Sequence, residues 1–290
     1  MIKYLLVGLT LLGAAADVGA GAWTLQSGQV WGKLTYFQQH TEEWYVGKGR
    51  FGVPGTRARY DFDGQYESRA VFFESMHGVT DRLDIGLQVP YFDQSFANIA
   101  FAEPRTDTGL SDIRALAKFR LLTKPLVLAL KAGVKMPTGE FKNEDGLIPV
   151  GEGQWDFDFV GQVGRSFWPL PLYGNLDLGY RVRTRNEQID RDPGDEWFLN
   201  AELGYQLVRQ LMLLGKCEVL RSDPAVVFGS IEAEIKRITY LTPALLYAIG
   251  QRTTIEAAVR FSLNGRNFPA GRQLVLGVAT TLGKALSKRQ

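Results

Sequence analysis

The sequence predicts an all-β chain, folded as a transmembrane up-and-down antiparallel β-barrel of about 12 strands. Three observations point there. Apolar and charged residues alternate with a period of two in segment after segment. The connections between segments alternate between short and long. The N-terminal apolar run, Tyr4 to Ala16, is too short for a membrane-spanning helix, and no second long run follows it.

The alternation is clearest in "YGNLDLGYRVRTR" (173–185). Asp177, Arg181, Arg183 and Arg185 fall on one face, and Leu176, Leu178, Tyr180 and Val182 on the other. Segment 109–122 sets Asp112, Arg114, Lys118 and Arg120 against Ile113, Ala115, Ala117, Phe119 and Leu121. Segment 126–138 sets Lys131 and Lys135 against Leu128, Leu130, Ala132 and Val134. Segment 153–166 opposes Asp156, Asp158 and Gln162 to Trp155, Phe157, Phe159 and Val163. Segment 195–208 opposes Glu196, Asn200 and Glu202 to Trp197, Leu199, Ala201 and Leu203. A segment at 230–247 begins with Glu232 and Glu234 against Ile231, Ala233 and Ile235. The strand holding 173–185 runs over 171–185, and the others are 29–41 (mixed faces), 64–77, 81–93, 210–221, 252–263 and 271–282. Pro90 and Pro243 fall inside strands, where each removes a ladder donor and marks a bulge or an earlier strand end.

Short connections lie near residues 76–80, 122–125, 168–171, 208–210 and 249–252; longer ones are 42–63, 94–108, 139–152 and 186–194. That is the signature of short periplasmic turns and longer outer loops. A soluble barrel this wide would have to fill its interior with apolar side chains, which barrels beyond about eight strands rarely do. Turned inside out, the apolar faces meet lipid and the charges line the lumen. A lipid-facing charge at mid-depth would cost about 2–4 kcal/mol. Tyr91, Trp155, Trp197 and Phe261 near one rim, and Phe119, Trp168, Tyr173, Tyr205 and Tyr247 near the other, suit two interfacial belts.

Lys3, the apolar run and the small-x-small "AGA" at 20–22 read as a signal peptide over 1–22, followed by a single barrel domain over 23–290. The expected location is the outer membrane of a diderm bacterium. Charge is nearly balanced, 33 basic against 31 acidic residues, which argues against a nucleic-acid partner. The one cysteine, Cys217, allows no internal disulfide and falls on an apolar face as an inert thiol. His40 and His77 have no partner at metal-ligand spacing, so neither a metal nor a cofactor is expected. Ser75 and His77 share a strand without the third group of a hydrolase triad, and an enzyme is not expected. The glycine-rich "GKGRFGVPG" (47–55) lacks a phosphate-loop ending and reads as an outer loop.

Three further stretches carry a family resemblance. They are "GLSDIRALAKFRLL", "LALKAGVKMPTGEF" and "GEGQWDFDFVGQVGRSF", with Gly109 and Asp112, Pro137-Thr138-Gly139, and Gly151 with Gly153. In this order they resemble the outer-membrane transporter family of the MetA pathway of phenol degradation, over roughly residues 23 to 282. The resemblance implies passive uptake of small, hydrophobic or aromatic compounds, and transfers no catalytic residues. On this reading the lumen is lined by Arg114, Lys118, Arg120, Lys131, Lys135, Asp156, Asp158, Asp177, Arg181, Arg183, Arg185, Glu202, Glu232 and Glu234. Facing stripes of opposite sign would order water and select solutes. Charges that pair and plug the lumen are the alternative. The partners are outer-membrane lipid, a small-molecule solute and the barrel-assembly machinery. The competing function is a non-transporting structural or adhesive barrel, with the loop bearing Trp44, Tyr45 and Phe51 as its binding surface.

Overall fold

The computed structural model describes residues 21–47, 53–142, 148–231 and 235–283. It is a closed antiparallel barrel. The strands, in chain order, are β1 (Val30–Thr41), β2 (Gln65–Gly78), β3 (Leu83–Ala97), β4 in two pieces (Arg105–Leu110 and Arg114–Leu122), β5 (Val127–Lys135) and β6 (Asp156–Ser166). They continue with β7 (Leu172–Arg183), β8 (Glu196–Val208), β9 (Leu211–Ser222), β10 (Arg237–Ile249), β11 (Thr253–Arg266) and β12 (Arg272–Leu282). Each pairs with its sequence neighbours, and β1 pairs with β12 from Val30–Leu282 to Gln39–Gln273, closing the wall. Counting β4 once gives the 12 strands expected.

The two prolines act as ladder breaks. β3 pairs with one piece of β4 up to Tyr91–Leu110 and with the other up to Gln88–Arg114, so Pro90 sits at the gap. There its carbonyl accepts from Ser111 N–H at 2.9 Å. The break shifts the alternation: Asp107 faces inward on the first piece, Asp112 in the break itself, and Arg114 and Lys118 on the second. Pro243 lies in the unpaired step between Leu241–Phe261 and Ala244–Ala258 on the β11 side, while its β9 side stays in register with Gly215. The segment expected at 230–247 is cut: Ser230–Ile231 joins a small rim sheet with Val226–Val227 and Arg191–Asp192, and the barrel strand starts at Arg237.

Outward faces are apolar through the middle of the wall. Leu34, Phe73, Ile85, Leu130, Phe159, Leu178, Leu203, Leu241, Leu245, Leu276 and Val278 are all exposed. Cys217 lies on this face, half-buried between Ala201 and Leu241 of the adjoining strands. Ser75 and His77 point outward too, bordering an apolar groove with Ile85 and Leu87. The charged face is the buried one: Asp84, Lys118, Asp156, Lys135, Asp177 and Arg183 all turn inward. Tyr173 departs from the expected belt. It is buried, and its ring meets Trp23 edge-on at 5.9 Å.

Candidate channel lumen

The three sequence motifs meet at one point of the loop-side rim. Asp112, in the break of β4, accepts from the backbone N–H of Gly139 at 3.1 Å and of Glu152 at 3.0 Å. Its carboxylate also pairs with Lys135 Nζ at 3.1 Å. Thr138 Oγ1 accepts from Ile113 N–H and donates to the Ser111 carbonyl. Gly139 and Gly151 stack backbone on backbone: a Cβ on Gly151 would lie 2.4 Å from the Gly139 carbonyl carbon and oxygen. Only glycine allows that approach. The knot turns the chain after Gly139 back into the barrel and presents the Glu152 carboxylate to Lys135 and to Arg183, at 2.7 Å from the latter.

From Glu152 a lattice of ion pairs runs across the strands. Arg183 reaches Glu196 at 3.0 Å and Asp156 at 3.4 Å. Arg181 reaches Asp158 at 2.6 Å and Glu196 at 2.8 Å. Arg114 completes Asp158 at 2.8 Å, and Lys135 completes Asp156 at 3.0 Å. The acidic strand β6 lies between basic β5 and β7, so cations and carboxylates interleave on neighbouring strands. The expected facing stripes are therefore replaced by mutual pairing on one wall. Burial works to raise the Glu152 carboxyl pKa, but Arg183 and Lys135 outweigh it and hold it well below the ordinary glutamate value. Lys236, beside the same group, is pushed down from its ordinary value by burial and by Arg183.

Below this lattice a polar cavity of about 240 Å³ is lined by Trp31, Lys131, Asp177, Glu202 and Lys216 among others. Lys131 faces Asp177 at 3.9 Å, and Lys216 lies 3.8 Å from Glu202, which also accepts from Tyr173 Oη at 2.7 Å.

Below the cavity, at the turn-side rim, residues 21–25 enter the lumen. Lys118 and Asp84, both wholly buried and 3.6 Å apart, grip this segment. Lys118 Nζ donates to the carbonyls of Gly21 and Trp23, and Asp84 accepts from Leu25 N–H at 3.1 Å. Ala22 N–H donates to Asn175 Oδ1 at 3.0 Å. The Trp23 ring rests on Gly164, where a Cβ would lie 2.7 Å from it. None of this seat is readable from local sequence pattern.

Towards the turn-side rim the inner side of β9, β10 and β11 is apolar, whereas nearer mid-wall Lys216 and Lys33 pair with Glu256, and Arg260 with Glu218. Met212, Leu214, Ala244, Leu246 and Ala258 form a buried cluster with Tyr173, against which Trp23 packs. Towards the loop-side rim, Ile238 and Tyr240 pack with Tyr45 and Ala270.

Of the residues expected to line the lumen, Arg114, Lys118, Lys131, Lys135, Asp156, Asp158, Asp177, Arg181, Arg183 and Glu202 are inside. Arg120 also turns inward, at the turn-side rim, and donates to the Asp81 carbonyl at 2.7 Å. Arg185 does not line the lumen. It is exposed beyond the end of β7 and pairs with Asp190 of the adjoining loop. Glu232 and Glu234 lie outside the described residues. Missed by sequence reasoning were Asp84, Asp107, Glu152 and the inward side of β9 to β11. Trp44 and Tyr45 are not offered to an outside partner. Tyr45 is buried, donating its hydroxyl to the Ser262 carbonyl at 3.0 Å, and Trp44 stacks on Tyr60 at 5.9 Å. Phe51 lies outside the described residues.

The family model described as "Putative MetA-pathway of phenol degradation" matches residues 48–277. The chain belongs to this family. Among solved structures, the COG4313 outer membrane channel from Pseudomonas putida F1 is similar with a TM-score of 0.74 at 16% identity, over 91% of this chain and 98% of that one. The NanC porin follows at TM-score 0.51 and 7% identity, covering 86% and 100% of the two chains. The translocator domain of the autotransporter NalP from Neisseria meningitidis reaches 0.50 at 10% identity, covering 96% and 95%. At these identities the likenesses establish the outer-membrane barrel fold. No curated protein matches the chain.

Proposed function

We propose that this member of the MetA-pathway family is a passive outer-membrane channel for small molecules that combine an apolar or aromatic body with a polar group. The carrying observation is the two-sided lumen. One wall presents ion-paired charges (β4 to β8), and the other carries towards the turn-side rim a band of Met212, Leu214, Ala244 and Leu246. A solute passing between them keeps its polar group hydrated or hydrogen-bonded while its body meets side chains that desolvate it cheaply. The family's name ties it to phenol degradation, and a phenol has this division of character. The similar channel and porin structures support a transport role over an enzymatic one.

On this reading the Glu152 lattice narrows the loop side and residues 21–25 obstruct the turn side. Passage on this reading requires the N-terminal segment to leave its seat. Export by a signal peptide over residues 1–22 belongs to the same proposal. Cleavage before Trp23 would remove Gly21 and Ala22, and with them two of the contacts that hold the segment.

The test is uptake into liposomes of phenol-like solutes against sugars of similar size, beside planar-bilayer conductance of the purified mature chain. Faster entry of the aromatic solute, slowed when Leu214→Asp puts a charge on the apolar wall, is the expected result. Equal rates for both solute classes, or no entry beyond protein-free liposomes, would overturn the proposal.

A further inference from the structure

We propose that the loop-side rim carries a built binding site for the phosphate groups of an outer-leaflet lipid, centred on Arg221 and Arg237. The proposal is independent of what the lumen transports. It starts from a register. Arg221 of β9 lies directly opposite Arg237 of β10, and Arg237 directly opposite Arg266 of β11. Opposed residues of an antiparallel ladder have Cα atoms about 4.5–5.5 Å apart, and like charges so placed repel. Arginine cannot shed its proton to relieve that repulsion.

Among the described residues, no carboxylate lies within ion-pair distance of Arg221 or Arg237. The nearby Asp195 is engaged elsewhere. It accepts from the Arg183 N–H at 2.9 Å and the Tyr180 hydroxyl at 2.8 Å. Arg266 donates Nε to the Gly47 carbonyl at 3.0 Å. The arrangement differs from that of three other basic residues on this rim, which pair with acids: Arg57 with Glu43, Arg59 with Glu42 and His40 with Glu67.

The height of the row identifies the ligand. Trp197 is in register with Arg221 on one side and with Tyr180 on the other. All five residues therefore form one band across β7 to β11, and Arg221 lies over the Trp197 ring at 5.4 Å. Tyr and Trp with outward rings mark the level of lipid headgroups. Below the band the outward residues turn apolar, with Leu199, Val219, Leu241 and Leu263. The Arg221 and Arg237 guanidinium groups, at headgroup level, facing outward and with no carboxylate at ion-pair distance among the described residues, match phosphate by charge and by fork geometry. The structure thus assigns the occupant as a phosphorylated glycolipid or phospholipid of the outer leaflet, its acyl chains lying along the apolar wall beneath.

The experiment uses the purified full-length barrel in a zwitterionic detergent, with bis-phosphorylated lipid A as the probe and binding read by native mass spectrometry. The parent is expected to retain lipid A, with retention weakening as ionic strength rises. Arg221→Gln with Arg237→Gln should lower affinity tenfold or more. Arg57→Gln with Arg59→Gln should leave it unchanged. Fully dephosphorylated lipid A should bind parent and both variants equally weakly, and soluble glucosamine 1-phosphate should not compete at equal concentration. Far-ultraviolet circular dichroism and heat-dependent gel mobility verify that each variant remains a barrel. Undiminished lipid A binding by the Arg221/Arg237 variant, loss confined to the Arg57/Arg59 variant, or indifference to phosphate removal would each overturn the assignment.

Discussion

Replacing Asp112 by alanine should release the knot that carries Glu152 into the lumen. The carboxylate is buried and accepts two backbone N–H groups, from Gly139 and Glu152. Each donor stranded without a partner costs about 1–3 kcal/mol, so the pair costs about 4 kcal/mol if both stay buried. The Lys135 ammonium loses one of three carboxylates but keeps Asp156 and Glu152, so it adds little. Water already present in a polar lumen will recover part of the loss, which sets the expected destabilisation at about 2–4 kcal/mol. Asn in place of Asp keeps one acceptor oxygen and should cost about half as much. Denaturant unfolding in micelles, followed by tryptophan fluorescence, reads the stability. Single-channel conductance reads the consequence, because a freed Glu152 loop removes the loop-side narrowing. Asp112→Ala that unfolds at the parent's midpoint and shows the parent's current would refute the claim that this carboxylate builds the constriction.

Other outcomes follow from the same geometry. Glu152 titrates lower in the folded chain than free in solution. Its stabilisation is therefore complete above the ordinary glutamate range and is lost as pH falls through the folded value. Conductance should rise only as pH falls well below the ordinary glutamate range, and Glu152→Gln should be open without that dependence. Gly164→Ala should evict Trp23, since the new Cβ would lie 2.7 Å from its ring. A red-shifted tryptophan emission would show it, and unchanged emission would argue that the ring is seated elsewhere. In a Cys217→Ala background, cysteines at Leu176 and Leu178 should react only with membrane-soluble reagents and one at Asp177 only with a small aqueous thiol reagent. Reversed reactivity would invert the barrel.

Much of the wall was legible because its period is two and its outward face may carry no charge at mid-depth. "YRVRTR" can be placed only one way round. "LMLLGKCEVL" cannot: with apolar residues at both parities, nothing in it says that Met212 and Leu214 face in while Leu213 faces lipid. Tyr173 was misplaced for a similar reason, since a ring near a strand end suits a headgroup belt or an inner cluster equally well. Its inward position rests on Trp23, some 150 residues away in sequence, a contact no local window contains. The glycine motifs were visible but mute. Gly139 and Gly151 show their purpose only when two distant loops lie backbone to backbone. Interleaved ion pairs were legible as the alternative, since Asp156 and Asp158 fall on a strand between basic neighbours; the sequence did not reveal that Glu152 of a loop joins them.

The pairing of β1 with β12 has a bearing on how the molecule comes into being. Ten residues of the earliest strand wait for partners between Gln273 and Leu282. A chain cut short before Arg272 would therefore possess two raw edges, each a template for adhesion to other chains. Completion of the cylinder is in this sense a proofreading step: only a fully synthesised polypeptide can hide its own margins.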